Sequence, residues 1–286
     1  MKVSISVTNY SWPNGVHDGL TEVARAADES DLDTLWVDDH LLQADPFAPP
    51  GHTEHLEAIS TLGFLAARTE RVRLGSMVSP VTFRPPAVLL KAVSTLDALT
   101  GGRVWLGVGS GYQADEARAM GLPFPPVAER FELLGDTLRL AHHLWSGDES
   151  PFEGRRIRLE RPVDSPRPAR RPRIVVGGTG KRKTLRLVAQ YADACNVFDI
   201  PDGGTTIREN FAVLADHCAD VGRPYDEIEK TVGTRLNPGE TAEEFAEQLT
   251  RLGELGADHV GVITIGPWTA ESVQVIGRAA KLAAGR

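Results

Sequence analysis

The apolar positions of this chain keep two periods and switch between them at a regular pace. Lys2–Val7 alternates polar and apolar residues as a strand does, and Gly19–Ser30 then places Leu20, Val23, Ala24 and Ala27 on one side of a helix. Thr34–Val37 is a second short strand, with a helix over about Glu57–Arg68 behind it. The pattern recurs as strand Val72–Ser76, helix Ala87–Leu99, strand Val104–Val108 and helix Phe131–Trp145, where Phe131, Leu134, Leu138 and Trp145 share a face. Beyond an irregular stretch come strand Arg173–Val176, a helix from about Lys181, strand Ala194–Val197 and helix Ile207–Val221. Strand Ile228–Val232, helix Thr241–Leu252, strand His259–Ile265 and helix Glu271–Ala284 complete the series.

Eight strand-then-helix units in 286 residues predict an α/β fold, a closed (β/α)8 TIM barrel, better than an open doubly wound sheet, which normally uses about five or six strands. No linker divides residues 1–286, so a single barrel domain is expected. Residues Ser146–Pro172 break the rhythm with prolines, arginines and a hairpin-like FEGRRIRLE, and read as an insertion before the fifth strand. In such a barrel the active site lies at the strand C-termini. That rule selects Thr8 and Asn9, Asp38–His40, Ser76–Ser79, Gly109–Tyr112 and Gly177–Lys181.

Composition changes this picture only at the margins. The 41% hydrophobic content suffices for a large core, and 31 basic against 39 acidic residues, a net charge of −8, argue against a general nucleic-acid surface. No apolar run approaches the roughly 18 residues of a membrane span, and MKVSISV reads as a strand rather than a signal peptide, so a cytoplasmic protein is expected. Cys195 and Cys218 have neither CxxC nor metal-like spacing and imply no disulfide framework.

The chemistry collects at the predicted rim. After the fifth strand Gly177, Gly178 and Gly180 permit positive φ and close approach of a ligand to backbone, where a helix start offers free N–H groups to an anion. Lys181, Arg182 and Lys183 add positive charge there, so the turn is either a phosphate site or a glycine turn ahead of a solvated helix end. It is not a Walker loop, because Arg182 follows Lys181, nor a dinucleotide fingerprint, because Lys183 stands where the third Gly belongs. Asp38, Asp39 and His40 suit proton transfer, with a carboxylate orienting the imidazole, or else form a capped loop. Gly107, Gly109 and Gly111 either leave a strand end bare for a flat ligand or serve close packing. Tyr112, Asp115 and Glu116 read as polar site groups or helix caps, Arg84 as an anion contact or an ordinary surface pair. His52 and His55 flank Glu54 in a Pro/Gly loop, a weak metal pattern, and no metal is expected.

Together these stretches resemble the luciferase-like monooxygenase superfamily, in its branch that uses the deazaflavin coenzyme F420. The likeness covers nearly the whole chain and rests on WVDDH at Trp36–His40, GSMVSPVTFRPPAVLLKAVSTLDALTGGRVWLGVGSGY at Gly75–Tyr112, GLPFPPVAERFELL at Gly121–Leu134 and IVVGGTGKRKTLRLVAQYADACN at Ile174–Asn196. The resemblance implies an F420-dependent oxidoreductase that moves a hydride between the deazaflavin and a small organic substrate, with an FMN-dependent monooxygenase as the alternative. It places Asp39 and His40 beside the ring, with His40 as proton partner, and a non-proline cis peptide at Met77–Val78 under it. It puts the cofactor phosphate on Gly177, Gly178, Thr179 and Gly180, with Lys181 and Arg182 facing the phosphate or the tail, and the bare strand end at Gly109 and Gly111 is then a candidate part of the cofactor site. A homodimer through helices of the N-terminal half is also implied. One departure stands out: sugar-phosphate dehydrogenases of this superfamily carry a catalytic Glu where this chain has Tyr112, which argues against glucose-6-phosphate chemistry.

Overall fold

Eight parallel strands close on themselves in the computed structural model, which describes residues 1–285. They are β1 (Lys2–Val7), β2 (Thr34–Val37), β3 (Arg73–Ser76), β4 (Val104–Gly109), β5 (Arg173–Gly177), β6 (Ala194–Phe198), β7 (Glu229–Leu236) and β8 (His259–Thr264). Each pairs with the next in parallel, and β8 returns to β1 with Lys2 opposite His259. This is a (β/α)8 TIM barrel. Around it run α1 (Val16–Glu29), α2 (Ala58–Ala66), α3 (Pro86–Thr100), the short α4 (Ala114–Ala119), α5 (Val127–Ser146), α6 (Thr184–Tyr191), α7 (Thr205–Val221), α8 (Ala242–Glu254) and α9 (Ala270–Ala284). Among the described residues, no helix is long and apolar enough to cross a membrane.

The two-residue period of the strands sorts their side chains. Outward positions such as Ile5, Leu35, Leu106, Val176, Val197, Val232 and Val262 are buried under the helices in one continuous core. Inward positions form a second, smaller cluster of Trp36, Trp105, Val175 and Ala194, with the two indoles 5.6 Å apart and Trp36 Nε1 donating to Ser4 Oγ at 3.0 Å. The N-terminal end of the barrel is closed by charge. Glu229, almost fully buried, accepts from Lys2 at 2.7 Å and Arg173 at 2.8 Å and meets the fully buried His259 at 2.7 Å. Burial alone would raise the Glu229 carboxyl, but the His259 hydrogen bond and charge, then Lys2 and Arg173, hold it well below the usual carboxylate range.

Three helix starts differ from the sequence expectation, and α1 begins at Val16 and not Gly19 because the polar His17 and Asp18 hide its first turn from an apolar count. α5 begins at Val127, directly after its N-cap Pro126, and the polar pair Glu129–Arg130 hides that start from an apolar count. α6 begins at Thr184 and not near Lys181: Lys181, Arg182 and Lys183 form a turn, since three cations in a first turn oppose the helix dipole. The insertion before β5 carries the expected hairpin, Phe152–Glu153 against Arg158–Leu159. Asp136 of α5 pins it by accepting from the Arg156 and Ile157 amides at 2.6 and 3.1 Å. A Cβ at Gly154 would lie 2.3 Å from that carboxylate, so only glycine lets the hairpin approach so closely.

Candidate functional site at the barrel mouth

The segment after β2 sends its polar side chains to different partners. Asp39 is nearly fully buried and takes a two-pronged ion pair from Arg84, at 2.6 and 3.0 Å, which Arg84 extends to Glu57. The carboxylate expected to orient His40 is therefore committed elsewhere, and Arg84 is an internal clamp. Its guanidinium pKa is raised: burial opposes the charge, but Asp39 and then Glu57 outweigh it.

His40 is oriented instead by Glu116. This residue lies in the first turn of α4, is buried, and accepts from the Leu42 amide at 3.0 Å and from that of Leu41. Its other oxygen lies 2.7 Å from His40 Nδ1. An anionic acceptor there fixes the proton on Nδ1 and leaves Nε2 as the free nitrogen. Nε2 points to the mouth, 3.3 Å from the hydroxyl of Tyr112, a residue 72% exposed. The Tyr112 phenol is raised above its ordinary pKa by burial of its inner edge and then by Asp38 and Glu116, so it stays a neutral donor. Behind His40 lie the His55 ring at 6.3 Å and the fully buried Tyr10, whose phenol is pushed well up by burial and then by Asp38 and Asp39. His55 Nε2 stands 3.3 Å from Asp38.

The glycines beside this group have separate duties. The Met77–Val78 bond is cis, as the resemblance implied. A Cβ at Gly107 would strike the Ser76 carbonyl at 1.8 Å, and Cβ atoms at Gly109 and Gly177 would strike Val78 at 2.9 and 2.7 Å. At these three positions the bare backbone makes room for the bulge after β3. Gly111 supplies a positive φ of 76° in the turn before α4. At the β5 turn Gly178 has φ 111°, and a Cβ at Gly180 would press on Thr184 Oγ1 at 2.6 Å. The N–H groups of Gly178, Thr179, Gly180 and Lys181 have no protein acceptor among the described residues. Lys181 itself turns to Glu209, 2.7 Å away on α7, and Arg182 and Lys183 lie outside the barrel between α5 and α6.

Buried polar atoms without a protein partner also gather at this end: Asn9 Nδ2, His55 Nδ1, Asp45 Oδ2 and Arg235 Nη1. Arg235, from the end of β7, lies 3.6 Å from Asp45 and stacks on Phe47. Unpaired donors at the β5 turn suit an anion, and the unmatched groups across the mouth suit a polar ring edge, so the residues present fit a phosphate-bearing heterocyclic cofactor. The cysteines take no part. Cys195 is fully buried and its thiol is pushed up to about 12 by that burial, while Cys218 is buried on α7. Four participants escaped sequence reasoning in their actual roles: Glu116, His55, Arg84 and Arg235. For Glu116 a signal existed, because it stands one helical turn beyond Tyr112.

The family model described as luciferase-like monooxygenase matches residues 1–277. Among curated proteins, an F420-dependent glucose-6-phosphate dehydrogenase of Nakamurella multipartita is 33% identical over 234 residues, 81% of this chain and 67% of the relative. One of Microbacterium testaceum is 30% identical over 220 residues, 76% of this chain and 63% of the relative. The chain thus spans about two thirds of the length of these relatives. Among solved structures, an F420-dependent secondary alcohol dehydrogenase in complex with an F420–acetone adduct superposes with a TM-score of 0.82 at 16% identity, covering 99% of both chains. A coenzyme F420-dependent tetrahydromethanopterin reductase from Methanopyrus kandleri gives 0.79 at 15% identity, covering 96% of this chain and 97% of that one.

Proposed function

The chain belongs to the luciferase-like monooxygenase family, matched over residues 1–277, and from that premise we propose that it is an F420-dependent oxidoreductase acting on a small organic substrate. The observation that carries this reading is the His40–Glu116 pair at the mouth, with Nε2 directed outward and the anion-ready β5 turn on the same rim. The F420-dependent names of relatives at 30–33% identity support the choice of cofactor.

The bound deazaflavin supplies two-electron hydride chemistry. The protein supplies the proton balance and the geometry. Glu116 holds Nδ1–H, so His40 takes or gives a proton at Nε2, as base toward an alcohol or as acid toward a C=O, C=N or C=C acceptor. Tyr112 fixes that nitrogen from the solvent side. Gly178, Thr179 and Gly180 would bind the phosphodiester through their N–H groups. Met77 and Val78 would support the ring from the bulge that Gly109 and Gly177 accommodate. Glu116 does not stand in for the Glu that sugar-phosphate dehydrogenases carry at the Tyr112 position, because both its oxygens are engaged by His40, Leu41 and Leu42. The substrate is therefore not taken over from the relatives' names.

A cytoplasmic location suits the two unpaired cysteines. A homodimer suits the exposed Val88 and the groove it shares with Ile59 and Leu96 between α2 and α3, and a solution mass measurement decides it. The main test is a parallel titration of purified protein with F420, FMN and NADPH. Tight F420 binding is expected; tight FMN binding with none for F420 would overturn the assignment in favour of a flavin monooxygenase.

A further inference from the structure

The basic run after the glycine turn and the insertion before β5 meet on the outside of the barrel. There α5 and α6 flank a cleft of about 730 Å³, walled on its third side by the pinned hairpin. Five cations line it: Arg139 from α5, Arg155 from the hairpin, Arg182 and Lys183 from the rim, and Arg186 from α6. Three carboxylates line it too, but two of them are already occupied. Asp136 holds the hairpin amides and Arg139, and Glu132 is taken by Arg156 at 2.9 Å and Arg155 at 3.4 Å. Three of the cations are paired, Arg139 with Asp136, Arg155 with Glu132 and Arg186 with Asp220 at 3.6 Å, whereas neither Arg182 nor Lys183 has a carboxylate within 4.0 Å among the described residues, and Lys183 rests over the Phe131 ring at 5.3 Å. In a chain of net charge −8 this cleft is a local surplus of positive charge.

We propose that the cleft receives the glutamate tail that F420 carries beyond its phosphodiester. The inference rests on the F420 reading above and assigns a place to the part of the cofactor that the mouth does not hold. The chain itself marks the route. The phosphate-binding N–H groups end at Lys181, and Arg182, the next residue, already lines the cleft. A tail leaving the turn over the rim meets Arg182 and Lys183 first and Arg186 one helical turn further down. Two unpaired cations at the rim, followed by the exposed, paired Arg186 and Arg155, match a row of carboxylates better than one compact phosphate, and being exposed they act through modest, salt-screened attraction. The hairpin gains a role in binding as well, since Asp136 and Gly154 hold it against α5, where it makes the third wall and supplies Arg155.

The test compares F420 bearing its full tail with F420 trimmed to a single glutamate, each titrated by fluorescence against wild type and an Arg182→Glu/Lys183→Glu double variant. For wild type the full-tail form should bind more tightly at low salt, with the advantage fading as salt rises. The double variant should lose roughly tenfold in affinity for the full-tail form and little for the trimmed form. An Arg182→Gln/Lys183→Gln variant should fall between, and far-UV circular dichroism checks that each variant is folded. Equal affinity of wild type for both forms, or equal losses for both in the variants, would overturn the tail site while leaving the cofactor reading intact. No binding of either form to wild type would overturn the cofactor reading and the tail site with it.

Discussion

The two ends of the barrel differ in how far their buried charged groups are paired. At the N-terminal end Lys2, Arg173 and His259 converge on Glu229 and answer its charge, leaving His259 Nε2 and Trp105 Nε1 as neutral ring nitrogens without a partner. At the C-terminal end Asn9, His55, Asp45 and Arg235 keep buried atoms that no protein group matches. An unmatched buried polar atom costs about 1–3 kcal/mol, so a fold tolerates several at one end only where something else uses them. The lower end is built for closure and the upper end for recognition, consistent with where chemistry sits in such barrels.

Exchanging a key residue at each end should separate the two roles. At the mouth, His40→Ala should lower kcat by about 10²–10⁴-fold with any substrate the enzyme turns over, the range expected for loss of a positioned acid or base. F420 affinity and the unfolding midpoint should stay near wild type. Unchanged turnover would move the chemistry away from His40. At the base, Glu229→Gln should leave turnover per folded molecule unchanged and cost about 1–3 kcal/mol in urea unfolding, because the buried His259 and the partly exposed Lys2 and Arg173 lose their counter-charge. Its pH dependence has a definite sign. Since the folded-state pKa of Glu229 is depressed, its contribution is fully present above the unfolded carboxylate value of about 4.3 and shrinks as pH falls below it. The stability gap between wild type and variant should therefore narrow from pH 5 toward pH 3; a constant gap would mean that Glu229 acts by shape and not charge.

A third exchange sharpens the view of the mouth itself. Glu116→Gln keeps an oxygen to accept from Leu41 and Leu42 but offers His40 no anion. A loss of about 10–100-fold in kcat is expected, the size seen when a group orienting a metal-bound histidine is removed. KM and F420 affinity should hardly move, and the pH profile of kcat should change shape. An Asp39→Asn variant should instead show itself in stability, since its partner Arg84 is the internal clamp that would be left half-paired.

How much of this could be read from the chain follows from how local each feature is. Strand and helix order is written in periods of two and 3.6, and the eight units, the hairpin and the rim residues come through in that way. Helix starts were legible only where apolar spacing marks them, which is why the three cations before Thr184 and the polar residues after Pro126 shifted α6 and α5. Partner choice is not local. Asp39 and His40 are adjacent in the loop after β2, yet one reaches Arg84 forty-five residues on and the other Glu116 seventy-six residues on. His259 has no suggestive neighbours in sequence because its partner Glu229 lies one strand away. That Gly109 and Gly177 both face Val78 from the bulge after β3 is likewise not local, since the three lie on separate strand ends.

The smallest contrast lies within a single turn, between backbone and side chain. Gly178 has φ 111°, where a β-branched residue is strained, while a Cβ there would meet nothing closer than Thr184 at 3.6 Å. Gly178→Val should therefore act through the backbone, at about 1–3 kcal/mol, by turning the free N–H groups of Gly178–Gly180 away from a common anion. That corresponds to a loss of F420 affinity of roughly five- to a hundredfold. Lys181 carries formal charge at the same place, but its ammonium is paired with Glu209 and both side chains are about half exposed. Such a pair is worth about 0–1 kcal/mol, and the Glu209 left behind is solvated, so Lys181→Ala should change F420 affinity by about twofold or less. The small loss should vanish at high salt, whereas the Gly178→Val loss should persist, because hydrogen bonds from fixed N–H groups are short-ranged and screened little. Titrations of both variants at two ionic strengths decide the matter. Equal, salt-sensitive losses would place the phosphodiester on the lysine and not on the turn.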